Sequence, residues 1–508
     1  MRHLRFCVFA LKKLPTNLYS AKTVALLDQI AINDCGIPGY TLMRRAGQAV
    51  LDALLMHYAD AKTILVLCGA GNNAGDGYVL ARLAQAHGLQ VRVVSMIDPG
   101  KLRGDASQAW QQWQECGETV PYRKEFTADA EVIIDALLGT GLTREVEDDW
   151  KRLINTVNQS GLPVISIDIP SGLNADTGAI SGAAINANQT VSFIGLKKGM
   201  FTGSGKACCG EISFDDLGLP VEIYDSVEPD AELLCHSSQW ALPPRRHDIH
   251  KGKNGHVLIV GGNYGMPGSV ILAARAALRS GSGLVSVVTR NEHINAVVVA
   301  CPECMVHGSA NGEINPGLLE KADYIAIGCG LGNDAWAQRL LYLVLDSTIP
   351  LVVDADALNL MAVRDHLSLT EECVITPHPG EASRCLKVRK RDIQCDRFQA
   401  TQKLRQKYNA HVVLKGSGTI IQHNGRPQVC AFGNPAMATA GMGDVLTGMI
   451  ASLAAQQIVM AGDINQAVMA AVCLHARAGD MAACGDDRGL MATDVIEHIR
   501  VAARCREE

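Results

Sequence analysis

The sequence predicts an α/β protein of two domains, each built on a parallel sheet. Three observations predict it. The chain has 508 residues, more than one hydrophobic core spans at roughly 100–200 residues per domain. From Thr63 onward, short and nearly continuous apolar runs alternate with longer helical patterns, which implies right-handed βαβ crossovers and strands covered on both faces. The 49 glycines gather where such runs end, in GAGNNAGDG, GGNYGMPG and AGMGDVLTG, where the backbone turns tightly or approaches a ligand.

Taken in order, the first series reads as strand TILVLC, helix YVLARLAQAHG, strand VRVVSM, a polar helix around Trp110, strand VIIDAL, a helix near Leu153 and strand VISIDIP. The acidic, proline-containing stretch from Leu217 to Cys235 breaks the pattern. It sets the expected domains at 1–220 and 236–508, with a linker at 221–235. The second series reads as HVLIVGG, a helix from Pro267 to Ser280, LVSVVT, YIAIG, LVVDADALN, VITP, HVVLKG and a late helix from Asp444. The glycine signatures of the halves differ, so no simple internal repeat is expected.

Composition narrows the function. Hydrophobic residues make up 48% and charged residues 19%, as in an ordinary globular protein. The 46 Lys and Arg stand against 52 Asp and Glu, a net charge of −6 that gives no drive toward nucleic acid or anionic lipid. The 17 Cys are odd in number and irregularly spaced, which suits free thiols in a reducing, cytoplasmic setting. Cys301 and Cys304 form the single CxxC, expected to be small buried thiols rather than a zinc site. The N-terminal MRHLRFCVFALKKLP has an apolar stretch of six, too short for a signal-peptide core, and reads as a mature leader segment. No run approaches the length of a membrane span.

The first glycine cluster, Gly69 to Gly77, follows a strand and opens a helix, where open α/β sheets place ligands and helix N–H groups hold phosphate. Its loose dinucleotide fingerprint, with Asp98 as a candidate ribose-binding acid, leaves Asn72, Asn73 and Asp76 unexplained. Asp135 and Asp168 close two further strands. The shared rim suits a hard cation with oxygen ligands, or an acid–base group beside a phosphate. Any single Asp there is also a candidate helix cap.

GAGNNAGDG, DALLGTG and DIPSGLNADTG resemble the N-terminal, Rossmann-like domain of the bifunctional NAD(P)H-hydrate repair enzymes, with Ala74 where that family has Gly. The resemblance implies an epimerase acting on the two C6 forms of hydrated NADH or NADPH. It implies that Asn72, Asn73, Ala74, Gly75 and Asp76 contact substrate, and that Asn73, Asp135 and Ser171 ligate K+. It further implies that Gly139, Thr140, Gly141, Leu142, Thr143, Arg144 and Glu145 hold the substrate's phosphates, with Asp168 as acid–base group at the reacting ring.

In the second half no Walker-type GxxxxGK[ST] occurs, which excludes a P-loop NTPase. Instead Gly441-Met442-Gly443-Asp444 opens a long apolar helix, an arrangement for stabilising phosphoryl charge with an Asp to accept a hydroxyl proton. Lys415-Gly416-Ser417-Gly418-Thr419 closes a strand as a second small-residue loop with a cation. The pattern resembles ribokinase-like kinases. With GGNYGMPGS, DADALN, TPHPGE and LKGSGT it resembles, more narrowly, the dehydratase domain of the same repair enzymes. That implies nucleotide-dependent dehydration of the S form, with ADP and Mg2+. Gly265, Gly332 and His378 would contact the hydrated nucleotide, Lys415 to Thr419 and Gly443 the ADP, and Asp444 would act on substrate. The partners implied are these small molecules, in a homo-oligomer.

Three rival readings stay open at this stage: a vitamin or sugar kinase fused to a nucleotide-binding module, a non-catalytic N-terminal module, and a dehydrogenase. The last is disfavoured, because the second domain has a phosphoryl-transfer design without an evident hydride-acceptor site.

Overall fold

The computed structural model describes residues 14–124, 126–142, 144–364 and 367–504. The chain divides into two compact units between Leu233 and Leu234.

In the N-terminal unit, seven strands form one sheet: β1 (Thr63–Cys68), β2 (Gln90–Ser95), β3 (Thr119–Pro121), β4 (Val132–Ala136), β5 (Val164–Ile167), β6 (Gln189–Phe193) and β7 (Glu211–Asp215). Their order is β3-β2-β1-β4-β5-β6-β7, and every neighbouring pair is parallel. Alternation decides the layering. Ile64, Val66 and Cys68 point into one apolar core and Leu65 and Leu67 into another, so both faces are covered, each large side chain contributing roughly 1.5–3 kcal/mol of burial.

The order reverses between β1 and β4, and there the two strand ends crowd. A Cβ on Gly69, just past β1, would stand 1.8 Å from the Leu137 carbonyl oxygen. Only glycine fits. The helix after it, α1 (Asn72–Ala86), begins earlier than the periodicity suggests, so Asn72 to Gly77 lie in its first turns with Gly71 (φ 93°) as N-cap. Ala74 is therefore helical and buried, a conformation any residue adopts. Two helices precede β1 that the strand-helix reading left out, Ala21–Asn33 and Gly39–His57. The stretch read as linker carries a short helix, Glu222–Asp225, and a strand, Ala231–Leu234, antiparallel to Asn17–Tyr19.

The C-terminal unit repeats the arrangement: β8 (His256–Val260), β9 (Leu284–Thr289), β10 (Met305–Gly308), β11 (Tyr324–Ile327), β12 (Leu351–Val353), β13 (Val374–Ile375) and β14 (His411–Leu414), extended by β15 (Ile420–Gln422) and β16 (Gln428–Cys430). Within this unit the order is β10-β9-β8-β11-β12-β13-β14-β15-β16, parallel as far as β14 and antiparallel beyond. The run LVVDADALN is not one strand: β12 stops at Val353, and helix α2 (Ala355–Ala362) follows with Asp354 as its N-cap residue. The late helix, α3 (Met442–Met460), is apolar all round and is a buried core helix. Its Gly448 lies where a Cβ would come within 2.1 Å of the Ala273 carbonyl oxygen.

Cys301 and Cys304 are buried, their sulfurs 3.1 Å apart. Among the described residues no helix is long and apolar enough to cross a membrane.

Gly69→Ala is expected to destabilise the N-terminal unit by at least about 2 kcal/mol through this clash, seen as an earlier urea-unfolding transition. An unchanged midpoint would show that the carbonyl moves aside freely.

Candidate active sites

In the N-terminal unit the strand ends open into a cavity of about 560 Å³. Its floor is the turn after β1 and the start of α1, giving Gly71, Asn72, Asn73 and Asp76, and one wall is Leu138 to Leu142 with Arg144. Asp168 and the β6 end, Phe193 and Ile194, complete the far side. The two early helices form the remaining wall with Val24, Asp28, Leu42 and Met43, and Asp105 joins them. Ala74, Gly75 and Glu145 are not among the lining residues. Gly75 instead lets helix Gly39–His57 approach, since a Cβ there would meet the Met43 side chain at 2.6 Å. Thr143 lies outside the described residues.

Asp135 is fully buried and hydrogen-bonded on both oxygens. Oδ1 accepts from Ser171 Oγ (2.5 Å) and the Leu137 amide (3.3 Å), Oδ2 from Ser166 Oγ (2.8 Å) and the Ser171 amide (2.8 Å). Burial raises its pKa, and these four bonds oppose the rise. Asn73 is the reverse case: buried, with neither Oδ1 nor Nδ2 hydrogen-bonded. A buried amide without a partner costs about 1–3 kcal/mol, so it points to a ligand.

Asp168 has φ 67°, a left-handed backbone that costs a non-glycine residue on the order of 1–3 kcal/mol. Its Oδ1 accepts from the Phe193 amide (3.1 Å) and from Lys197 Nζ. Asp76 lines the same cavity. Its pKa is pushed well up by burial, then by the charges of Asp168 and Asp28, and burial with Asp105 and Asp168 likewise raises Asp28. Sequence reading missed Asp28, Asp105 and Lys197. A lysine in the apolar run VSFIGLKKGM was the available signal for the last. Asp98, the candidate ribose-binding acid, caps a turn, accepting from the Gly100 amide at 3.0 Å.

In the C-terminal unit the strand ends gather a charged cluster. Asp354 is buried, its Oδ1 2.5 Å from Lys415 Nζ and its Oδ2 accepting from Thr447 Oγ1 at 2.9 Å. Burial alone would raise its pKa; Lys415 and the hydroxyls outweigh that and hold it low. The Lys415 cation, expected to meet phosphate, thus has a protein partner already, with Glu381 Oε2 3.9 Å away. A Cβ on Gly443 would lie 3.3 Å from Asp354 Oδ2 and 3.4 Å from Lys415 Nζ, so this glycine sits directly over the pair. Asp444 stands in the first turn of α3, whose N-cap is Gly441 (φ 85°); it is not a capping residue. Its pKa rises to about 6, through burial first and then the Asp354 charge, against hydrogen bonds from Cys329 and Ser269.

Gly416 and Gly418 have φ of 131° and 61°, and the loop they shape is braced by buried Arg397, which donates to the carbonyls of Leu414, Lys415 and Gly418 at 3.1, 3.3 and 3.4 Å. His378 caps helix Pro379–Leu386, its Nδ1 accepting from the Gly380 amide at 2.9 Å and its Nε2 3.2 Å from Glu381. Gly332 (φ 74°) donates its amide to Asp356 at 2.8 Å and abuts Asn263, while Gly265 (φ 77°) has open space around it. A separate cavity of about 1090 Å³, lined by residues such as Arg245, Lys253 and Met460, contains none of the expected residues.

Residues 39–199 match the family described as YjeF-related protein N-terminus, and residues 257–500 the family described as NAD(P)H-hydrate dehydratase. The bifunctional NAD(P)H-hydrate repair enzyme Nnr of Coxiella burnetii is 44% identical over 96% of this chain and 99% of its own length. The Escherichia coli protein of that name is 38% identical over 96% and 94%. A solved structure, the ADP/ATP-dependent NAD(P)H-hydrate dehydratase from Bacillus subtilis co-crystallised with ATP/Mg2+, is 29% identical with TM-score 0.48, covering 52% of this chain and 94% of that one.

Asp444 carries a stability signature. Its carboxyl has a higher pKa folded, about 6, than unfolded, about 4, so its contribution is complete below the unfolded value and lost as pH rises through the folded one. Asp444→Asn is expected to raise stability on the order of 2 kcal/mol at pH near 8 and little at pH near 4. Thermal melts that shift equally at both would contradict it.

Proposed function

The chain belongs to the bifunctional NAD(P)H-hydrate repair enzymes, with an epimerase and a dehydratase domain, and from that premise we propose how its residues divide the work. The N-terminal unit interconverts the R and S forms of hydrated NADH and NADPH. The C-terminal unit dehydrates the S form at the expense of ADP. The observation that carries this reading is the pair of separate strand-end sites, one an open cavity around Asp168 and Asp76, the other an Asp444 carboxylate beside an ion pair under a helix start.

In the dehydratase, the C6 hydroxyl is a poor leaving group. Asp444 would take its proton while the oxygen attacks the terminal phosphorus of ADP, releasing AMP. Phosphate then leaves with the C6–O bonding pair, a C5 proton is lost, and the C5=C6 double bond of the reduced ring returns. The Lys415–Thr419 loop and Gly443 would receive the nucleotide, the small residues letting phosphate approach backbone amides. Mg2+ would enter with the phosphates and neutralise their charge. Gly265, Gly332 and His378 would line the side of the hydrated nicotinamide nucleotide.

In the epimerase, Asp168 would do the acid–base work at C6, and Asn72, Asn73 and Asp76 with Gly139 to Leu142 and Arg144 would hold the nucleotide. Buried, unpartnered Asn73 fits a cation ligand, joined by Ser171 and Asp135; K+ bound there would supply positive charge beside the substrate's phosphates. The protein would work as a cytoplasmic homo-oligomer with these small molecules as its partners.

Three outcomes test the reading. With ADP and Mg2+, a mixture of R and S hydrates is expected to regain its full reduced-nicotinamide absorbance; recovery that stops when the S form is exhausted would retire the epimerase assignment. Asp444→Asn is expected to lower dehydratase kcat by about 10²–10⁴-fold, and full turnover would remove Asp444 as the base. K+ is expected to raise the thermal midpoint of the wild-type N-terminal unit more than Na+ does, a difference that Asn73→Ala abolishes.

A further inference from the structure

Lys197 is an unusual residue to find beneath the first cavity. Its side chain is wholly buried, and a lone lysine there would be costly to bury. Its ammonium has three donors, and three acceptors meet them: Asp168 Oδ1, Ser192 Oγ at 3.1 Å and the Phe193 carbonyl at 3.1 Å. No donor remains for a ligand. Asp168 has its Oδ1 committed to Lys197 and the Phe193 amide, while Oδ2 accepts no hydrogen bond from a described residue, and the residue lines the cavity.

The backbone is bent to make this pairing. β6 ends at Phe193, Ile194 takes φ 63°, and the Gly195 amide returns to the Phe193 carbonyl at 2.6 Å. That turn points Lys197 back beneath the strand end. Asp168 itself has φ 67°. Two non-glycine residues in the left-handed region, one of them β-branched, are held where the lysine and the aspartate meet, and strain of this kind collects at functional sites. Charge supplies a reason. Asp28, Asp76 and Asp105 line the same cavity as Asp168, the first two near enough for their charges and that of Asp168 to repel, and Lys197 is the cation in contact with Asp168.

We propose that Lys197 is a positioning residue of the epimerisation site, which fixes the Asp168 carboxylate by one oxygen and leaves the other turned to the substrate. The proposal rests on the reading of Asp168 as the acid–base group. Lys197 acts through Asp168 and touches no substrate.

The test uses the full chain, with dehydration of the pure S hydrate as an internal control on folding of the rest of the molecule. Lys197→Met is expected to lower epimerase kcat by about 10²-fold, the scale of a misplaced catalytic group, with little change in KM and none in dehydratase rate. Lys197→Gln, which keeps a neutral donor, is expected to fall between Met and wild type, and it carries the test if the Met protein does not fold. Asp168→Asn combined with Lys197→Met is expected to be no slower than Asp168→Asn alone. A kcat unchanged in both Lys197 variants, or losses that multiply in the double variant, would overturn the proposal. Asp168→Asn at the wild-type rate would instead bring down the acid–base reading of Asp168, and Lys197's role with it.

Discussion

Both sites depend on one steric constraint, the close approach of backbone where a parallel sheet reverses its order. In the N-terminal unit, Gly69 after β1 faces the Leu137 carbonyl beyond β4; in the C-terminal unit, Gly261 after β8 faces the Cys329 carbonyl beyond β11, with 2.2 Å to a notional Cβ. The two reversals are topologically equivalent, first strand against fourth. Any side chain at either glycine would pry the strand ends apart and displace the residues that follow. Among those residues, Asn72, Asn73 and Asp76 line the first cavity, while in the other unit Asn263 abuts Gly332 and Ser269 hydrogen-bonds Asp444. The halves thus share a plan without sharing a sequence, because the plan needs only a glycine and a crossover at the right strand.

Around these rims the carboxylates fall into two groups. Asp135, Asp168 and Asp354 are each anchored: by four hydrogen bonds in the first case, by Lys197 and an amide in the second, by Lys415 and Thr447 in the third. Asp76 and Asp444 have no such cation in contact, and burial and neighbouring charge push both upward. Hydrogen bonds and cations fix where the anchored carboxylates point, whereas burial and like charge make the other two easier to protonate. Asp354 belongs to the first group and also helps to make the second, since its charge is one reason Asp444 is raised.

The fold was legible because its signals are local. Continuous apolar runs marked the strands, and glycine clusters marked the turns after them. The cavity's polar lining was legible for the same reason, with Asn72, Asn73, Asp76 and Asp168, like the buried Asp135, all at strand ends or helix starts. What stayed hidden depends on partners far along the chain. Lys197 meets Asp168 across 29 residues and Arg397 braces a carbonyl 17 residues on; neither lies in a glycine-rich motif. The wall built by Ala21–Asn33 and Gly39–His57 was missed because amphipathic helices ahead of the first strand look like any surface helix. His378 and Lys415 were expected at the site from their motifs, but sequence could not reveal that one caps a helix and the other holds Asp354. Ala74 departs from the family's glycine without conflict, because the helix has already begun.

The upward shift of Asp444 suits a base better than an ordinary carboxylate would. A group with a pKa near 4 is fully ionised at neutral pH but a weak acceptor of a hydroxyl proton. Raised to about 6, it is still largely ionised at neutral pH and the transfer is less uphill, which is the compromise general-base catalysis favours. The means are burial and the negative Asp354 nearby, both of which cost folding energy. Lys415 limits that cost by pairing with Asp354, and its charge opposes the rise at Asp444 without cancelling it. The cluster thus holds one carboxylate low and its neighbour high.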